Sequence, residues 1–180
     1  MKYIAILRGI NVGGKRKIPM AELREKLGFL GFKNVKTYIQ SGNIIFSHDK
    51  EKALEIATQL EEFILDTYGF QVPVIIRSAE EIAKAISENP FLSKEIDIER
   101  LHLTFLKQIP DAEKIEKAKN ANYEPDDFKV LNNNVFIYCS GKYSDSKLTN
   151  KFFEDKFKVS ATTRNWKTVL KLASLATEEN

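Results

Sequence analysis

The chain has 180 residues, 43% of them hydrophobic and 29% charged, which is ordinary for a soluble globular protein and enough for one domain or two small ones. It holds no apolar run of about 18 residues, so no membrane-spanning helix is expected, and Met1–Ile4 enters a strand pattern too quickly for a signal peptide. The single Cys139 excludes an internal disulfide and a multi-thiolate zinc site, His48 and His102 stand in no metal-binding spacing, and the expected compartment is the cytoplasm.

The first predicted strand is Lys2–Leu7. It leads into LRGINVGGKRKIP (Leu7–Pro19), a connection rich in glycine and basic residues. A helix is predicted over Met20–Leu30, with Leu23, Leu27 and Leu30 on one face and Gly31 as its stop. Val35–Ile39 and Asn43–Phe46 or Ser47 read as two strands joined by a Gln40-Ser41-Gly42-Asn43 turn. A second helix is predicted from Lys50 to Tyr68, ended by Gly69. Gln71–Arg77 reads as a fourth strand, placed near an edge by Pro73. The order is βαββαβ, which ferredoxin-like folds share.

The second half repeats that order. Ser78 to Ser87 reads as a helix whose Ser78 and Glu81 form a capping box. Asn89-Pro90 breaks it, and residues 90–100 read as a connector. Then come a strand (Arg100–Leu106), a helix (Asp111–Lys119), a hairpin (Asp127–Leu131 and Val135–Cys139 around Asn132-Asn133-Asn134) and a helix (Lys147–Phe157). A weak extended piece at Lys158–Ala161 precedes a last helix over Arg164–Thr177. The fold class is therefore α+β, with mostly antiparallel sheets in two ferredoxin-like halves, 1–78 and 79–180. The common element order implies an internal duplication.

Charge is unevenly spread. Residues 1–36 carry nine Lys or Arg against two Glu, and residues 142–171 carry eight against three acids. Two such segments suit phosphate-bearing partners if they converge, and are ordinary solvated surface if they do not. In the first, Gly13 and Gly14 favour positive φ and outward-facing N–H groups ahead of a helix, with Lys15, Arg16 and Lys17 beside them. The spacing is neither a phosphate-loop motif nor G-x-G-x-x-G. The Ser41-Gly42-Asn43 turn is expected at the opposite end of the sheet from this loop. Ser140–Lys147 reads as a helix start capped by Ser144 or Ser146. Thr163-Arg164-Asn165-Trp166 reads as another helix start. Arg164 opposes the helix dipole there unless an anion or carboxylate answers it, and Trp166 packs in the core or stacks on a base. Cys139 reads as a buried small hydrophobe and His102 as a surface or structural histidine, so no base or nucleophile stands out.

LRGINVGGKRKIPMAELR, TYIQSGNIIF and TTRNWKTV together resemble a bacterial family catalogued as domain of unknown function 1697. The resemblance covers essentially the whole chain. It implies a two-part α+β architecture related to the ferredoxin-like fold, and no assigned chemistry. Its recurrent motif positions fall on Arg8, Gly9, Asn11, Val12, Gly13, Gly14, Ser41, Gly42, Asn43, Arg164, Asn165 and Trp166.

The functional expectation is binding of a phosphate-bearing ligand, a nucleotide or single-stranded nucleic acid. The candidate contacts are Arg8, Asn11, Gly13, Gly14, Lys15, Lys17, Ser41, Asn43, Thr163, Arg164, Asn165 and Trp166. No strand carries the aromatic pattern of an RNA recognition domain. An enzyme acting on a phosphorylated metabolite and a protein–protein interaction module are the alternatives. No cofactor or metal is expected.

Overall fold

The structure, a computed structural model, describes residues 1–49 and 52–178. Two compact units emerge, Met1–Lys84 with Lys171–Asn180, and Ala85–Leu170.

The first unit contains β1 (Lys2–Leu7), α1 (Met20–Gly28), β2 (Lys33–Tyr38), β3 (Asn43–Ser47), α2 (Ala53–Tyr68) and β4 (Val74–Ser78). The strands form one sheet in the order β2-β3-β1-β4, with antiparallel neighbours throughout. Tyr3, Ala5 and Leu7 of β1 share a buried cluster with Leu23 and Leu27 of α1 and Ile56, Leu60 and Ile64 of α2. This follows from period two in the strand and period 3.6 in the helices. Ile4, Ile6 and Ile45 are buried too, which explains why the inner strands β1 and β3 read as nearly continuous apolar runs. β4 lies at an edge, as Pro73 requires, and begins after that proline rather than at Gln71. Gly69 ends α2 at φ 78°, where its N–H donates to the Leu65 carbonyl. The expected start of this helix at Lys50 lies outside the described residues. α3 (Ala79–Ser87) follows β4 directly. Its capping box is present: Glu81 N–H donates to Ser78 Oγ at 3.2 Å, and Ser78 N–H to Glu81 Oε2 at 2.7 Å.

The second unit contains β5 (Leu101–Leu106), α4 (Ala112–Lys119), β6 (Asp127–Leu131), β7 (Asn134–Tyr138), α5 (Asn150–Phe157) and β8 (Ala161–Asn165), and α6 (Trp166–Thr177) follows β8. Its sheet order is β6-β7-β5-β8. Two expectations need correction here. The last helix begins at Trp166, not Arg164, and the weak extended piece at 158–161 is replaced by a full fourth strand over Ala161–Asn165. Five paired residues along β5 stabilise this segment as strand, and Thr162 and Thr163 are β-branched. Likewise α5 begins at Asn150, capped by Thr149, whose hydroxyl accepts from Phe152 N–H. Ser146 Oγ donates instead to Asp126 Oδ2 at 2.6 Å.

Both units thus show a βαββαβ order and a sheet order consistent with ferredoxin-like halves. The repetition reaches individual bonds. Ile4 faces Arg77 across β1 and β4, and Leu103 faces Arg164 across β5 and β8. Each arginine is buried and donates through Nη1 to the carbonyl one residue before it, Ile76 at 2.9 Å and Thr163 at 3.0 Å. One residue after each arginine stands a helix cap, Ser78 in the first unit and Asn165 in the second, whose Oδ1 accepts from Thr168 N–H at 2.8 Å.

Candidate functional site

β3 runs antiparallel to β1 and starts beside its end, with Asn43 opposite Ile6. The β2–β3 turn therefore lies at the same end of the sheet as the Gly-rich loop, not at the opposite end. Leu7 N–H donates to Gly42 carbonyl at 2.8 Å, and Arg8 N–H to Pro73 carbonyl at 3.0 Å. Three segments thus meet at one edge: 8–19, 39–42 and 72–73.

The loop is anchored and cross-linked. Ile10 and Ile18 are each 1% exposed and belong to the core. Between them, Asn11 sits at φ 55°, a conformation asparagine tolerates better than most residues. Its Nδ2 donates to Ile18 carbonyl at 3.0 Å and Gln40 carbonyl at 2.9 Å, and its Oδ1 accepts from Ile18 N–H at 2.9 Å. One side chain therefore closes the base of the loop and ties it to the neighbouring turn. Above it the chain forms a small hairpin. Val12 and Lys15 bridge each other, Lys15 N–H donates to Val12 carbonyl, and Asn11 N–H to Arg16 carbonyl. Gly13 and Gly14 are its two central residues at φ 57° and 73°, the positive pair that a type I′ turn requires. Residues 12–17 are all exposed. The result is a projecting finger with Lys15, Arg16 and Lys17 on it and Val12 and Ile39, 66% and 48% exposed, on the same end of the sheet. The glycines turn this hairpin; α1 starts later, after Pro19.

Asn43 is fully buried, with Nδ2 donating to Tyr38 carbonyl at 3.1 Å and Ser41 Oγ at 3.2 Å. A Cβ on Gly42, at φ 83°, would lie 2.7 Å from Ile10 Cδ1 and 2.8 Å from Leu7 Cβ. Asn11, Gly42 and Asn43 therefore build the platform, while the cations of the finger face solvent. The structure brings Arg8, Asn11, Gly13, Gly14, Lys15, Lys17, Ser41 and Asn43 to one end of the first sheet. Arg16 belongs with them, although its place in the finger was legible only as one more charge in a basic run.

Thr163, Arg164, Asn165 and Trp166 lie in the second unit. Thr163 Oγ1 shares a 2.7 Å hydrogen bond with Thr104 Oγ1 and also bonds Asn150 Oδ1. Arg164 is a strand residue, 8% exposed, so the helix-dipole argument for an answering anion does not apply to it. Its Nη1 also donates to Thr162 Oγ1 at 2.9 Å. Trp166 is 1% exposed, which settles its packing in favour of the core. Cys139 is buried, and burial pushes its thiol pKa up. Among the described residues no three His, Cys, Asp or Glu side chains gather as a metal site, and no helix is long and apolar enough to cross a membrane.

The chain is similar over 98% of its length to the conserved bacterial protein SP0830 from Streptococcus pneumoniae, of which it covers 98%, at 28% identity and a TM-score of 0.80. No curated protein matches it. A family model described as a protein of unknown function matches residues 1–136, which takes in the finger, its platform and the first two sequence motifs. With three quarters of its length inside that match, the chain belongs to the family of proteins of unknown function designated DUF1697.

Proposed function

We propose that the chain binds a phosphate-bearing ligand through the finger, and that the ligand is an extended polyanion, single-stranded nucleic acid. The observation that supports this reading is the finger's construction. Three cations stand on a hairpin whose base is held by Asn11, Ile10 and Ile18, so little ordering is needed on binding. Exposure of residues 12–17 lets a strand of phosphates pass over them. Val12 and Ile39 provide apolar surface beside the charges for the faces of unstacked bases.

The test is fluorescence anisotropy with a short labelled RNA across a salt series. Three phosphate contacts give a slope near −2 in log K against log salt, or roughly a twentyfold loss of affinity from 50 to 200 mM. The variant Lys15→Ser/Arg16→Ser/Lys17→Ser should flatten that slope towards zero. Unchanged affinity and slope in the variant would remove the finger from the reading. Saturable, salt-resistant binding of a mononucleotide would replace the polyanion with a small ligand.

A further inference from the structure

The second unit holds a feature that this reading leaves unused. At the start of β5 the chain forms a cleft of about 330 Å³ lined by Asp97, Glu99, Arg100, His102, Gly141, Lys142 and Tyr143, a volume in the range of small-ligand sites. His102 is 8% exposed and its ring stacks on Tyr143, with centroids 4.6 Å apart and planes 22° from parallel. Its Nδ1 is buried without a hydrogen-bond partner. A buried polar atom left unpaired is destabilising and rare in a native structure, so a ligand group that answered this nitrogen would relieve that cost.

The charges around the cleft say what that group is. Arg100 Nε lies 3.8 Å from Asp97 Oδ2, and its Nη1 donates to Ser140 carbonyl. Glu99 Oε1 pairs with Lys167 Nζ at 2.5 Å. Each carboxylate of the lining is therefore answered by a cation. The lining's two carboxylates balance its two cations, but Glu99 is answered by Lys167 from outside the lining, which leaves Lys142 as the lining cation with no carboxylate partner among the described residues. Asn165, opposite His102 on β8, is neutral and has its Oδ1 engaged by Thr168 N–H.

We propose that this cleft is a binding site for a compact oxyanion, a phosphate or carboxylate group of a small molecule, held by Lys142 and Arg100 and hydrogen-bonded by His102 Nδ1. The site is independent of the finger. Binding there favours the protonated imidazole, so His102 takes up a proton as the anion enters. Burial holds the empty site's imidazole below its usual pKa, against a backbone hydrogen bond at Arg100.

The experiment is NMR of the imidazole resonances while inorganic phosphate is titrated to about 20 mM, enough to fill a site with a Kd of about 1 mM, at ionic strength held with chloride. Acetate is titrated in a parallel arm. The chain has only two histidines, and His48, in the first unit, is the internal control. His102 should shift saturably while His48 stays still, and the His102 pKa should rise with phosphate. Response to phosphate alone makes the ligand a phosphoryl group; response to both makes any oxyanion sufficient. Lys142→Met, a change at an exposed position, should weaken the response at least tenfold, and the triple serine finger variant should leave it intact. No His102 response to either anion, or an equal response in Lys142→Met, overturns the proposal.

Discussion

At the end of the first strand of each half, the two units solve the same connection differently. In both, the strand's last residue donates to the β-hairpin turn, Leu7 to Gly42 and Leu106 to Asn133, and the next residue donates to the segment before the fourth strand, Arg8 to Pro73 and Lys107 to Ser160. From there the second unit reaches its helix through residues 107–111 alone, whereas the first takes residues 8–19. The frame is thus closed by five residues. The additional length in the first unit is not demanded by the sheet or the helix, yet it is folded, anchored at Ile10 and Ile18 and locked by Asn11. Ordered length beyond what a fold needs is where loops on a rigid scaffold carry function.

The comparison can be broken at its tightest point. Gly42→Ala places a methyl group 2.8 Å from Leu7 Cβ at positive φ, and overpacking plus the left-handed strain should cost about 3 kcal/mol. Urea unfolding should show this as a lowered midpoint. Gly13→Ala, also at positive φ but with nothing within 4 Å, should cost about 1 kcal/mol. Equal losses would mean that strain alone, and not the close approach to Leu7, makes Gly42 necessary. Asn11→Ala comes next. It removes three hydrogen bonds from the loop base, and a loss of about 2 kcal/mol is expected. Trypsin reports the local effect, because Lys15, Arg16 and Lys17 are its cleavage residues. Cleavage there should accelerate in Asn11→Ala ahead of global unfolding. If it does not, the finger is held by Ile10 and Ile18 without the amide.

The fold was largely legible because its signals are local. Period-two strands, the Ser78–Glu81 box and Gly69 all act within a few residues, and each stands where the pattern put it. Strand β8 was not, because Ala161–Asn165 has no apolar alternation of its own and is a strand through pairing with β5, far away in sequence. That miss carried Arg164 with it, since Arg164 lies on the strand and not in a helix turn, whereas Trp166 does open α6. The placement of the turn beside the loop was missed for a different reason. Gly13, Gly14 and the basic run were visible, but the meeting of residues 8–19 with the 39–42 turn depends on β3 lying between β1 and β2. Strand order is non-local, and a strand-by-strand alternation placed the turn at the wrong end. The hydrogen bonds of Asn11 to the backbone at Ile18 and Gln40 were not legible either, because their acceptors and donor are set by the folded loop and not by residue type.

Smaller effects test whether the two halves are equivalent where their bonds match. Ser78→Ala and Asn165→Ala each remove a cap from the helix after the fourth strand, and each should lose about 1 kcal/mol. A large inequality would show that the repeated geometry does not carry repeated energy. The smallest effect belongs to the second half. The His102 imidazole is pushed below its usual pKa of 6.5 by burial, opposed by the backbone at Arg100. A cationic group with a lowered folded-state value is neutral in the folded chain where the unfolded chain has begun to bind a proton. Its contribution is therefore fully present above pH 6.5 and declines as pH falls below it. Arg100, Lys142, Asp97 and Glu99 are the charged side chains that line the cleft with His102. Melting temperature in chloride buffer should fall between pH 7 and pH 5, and His102→Gln should lose less over that interval. In phosphate buffer the wild-type decline should be shallower, because the anion offsets the charge on His102. A His102→Gln profile parallel to wild type in chloride would assign the acid sensitivity to other groups and leave the imidazole a packed ring on Tyr143.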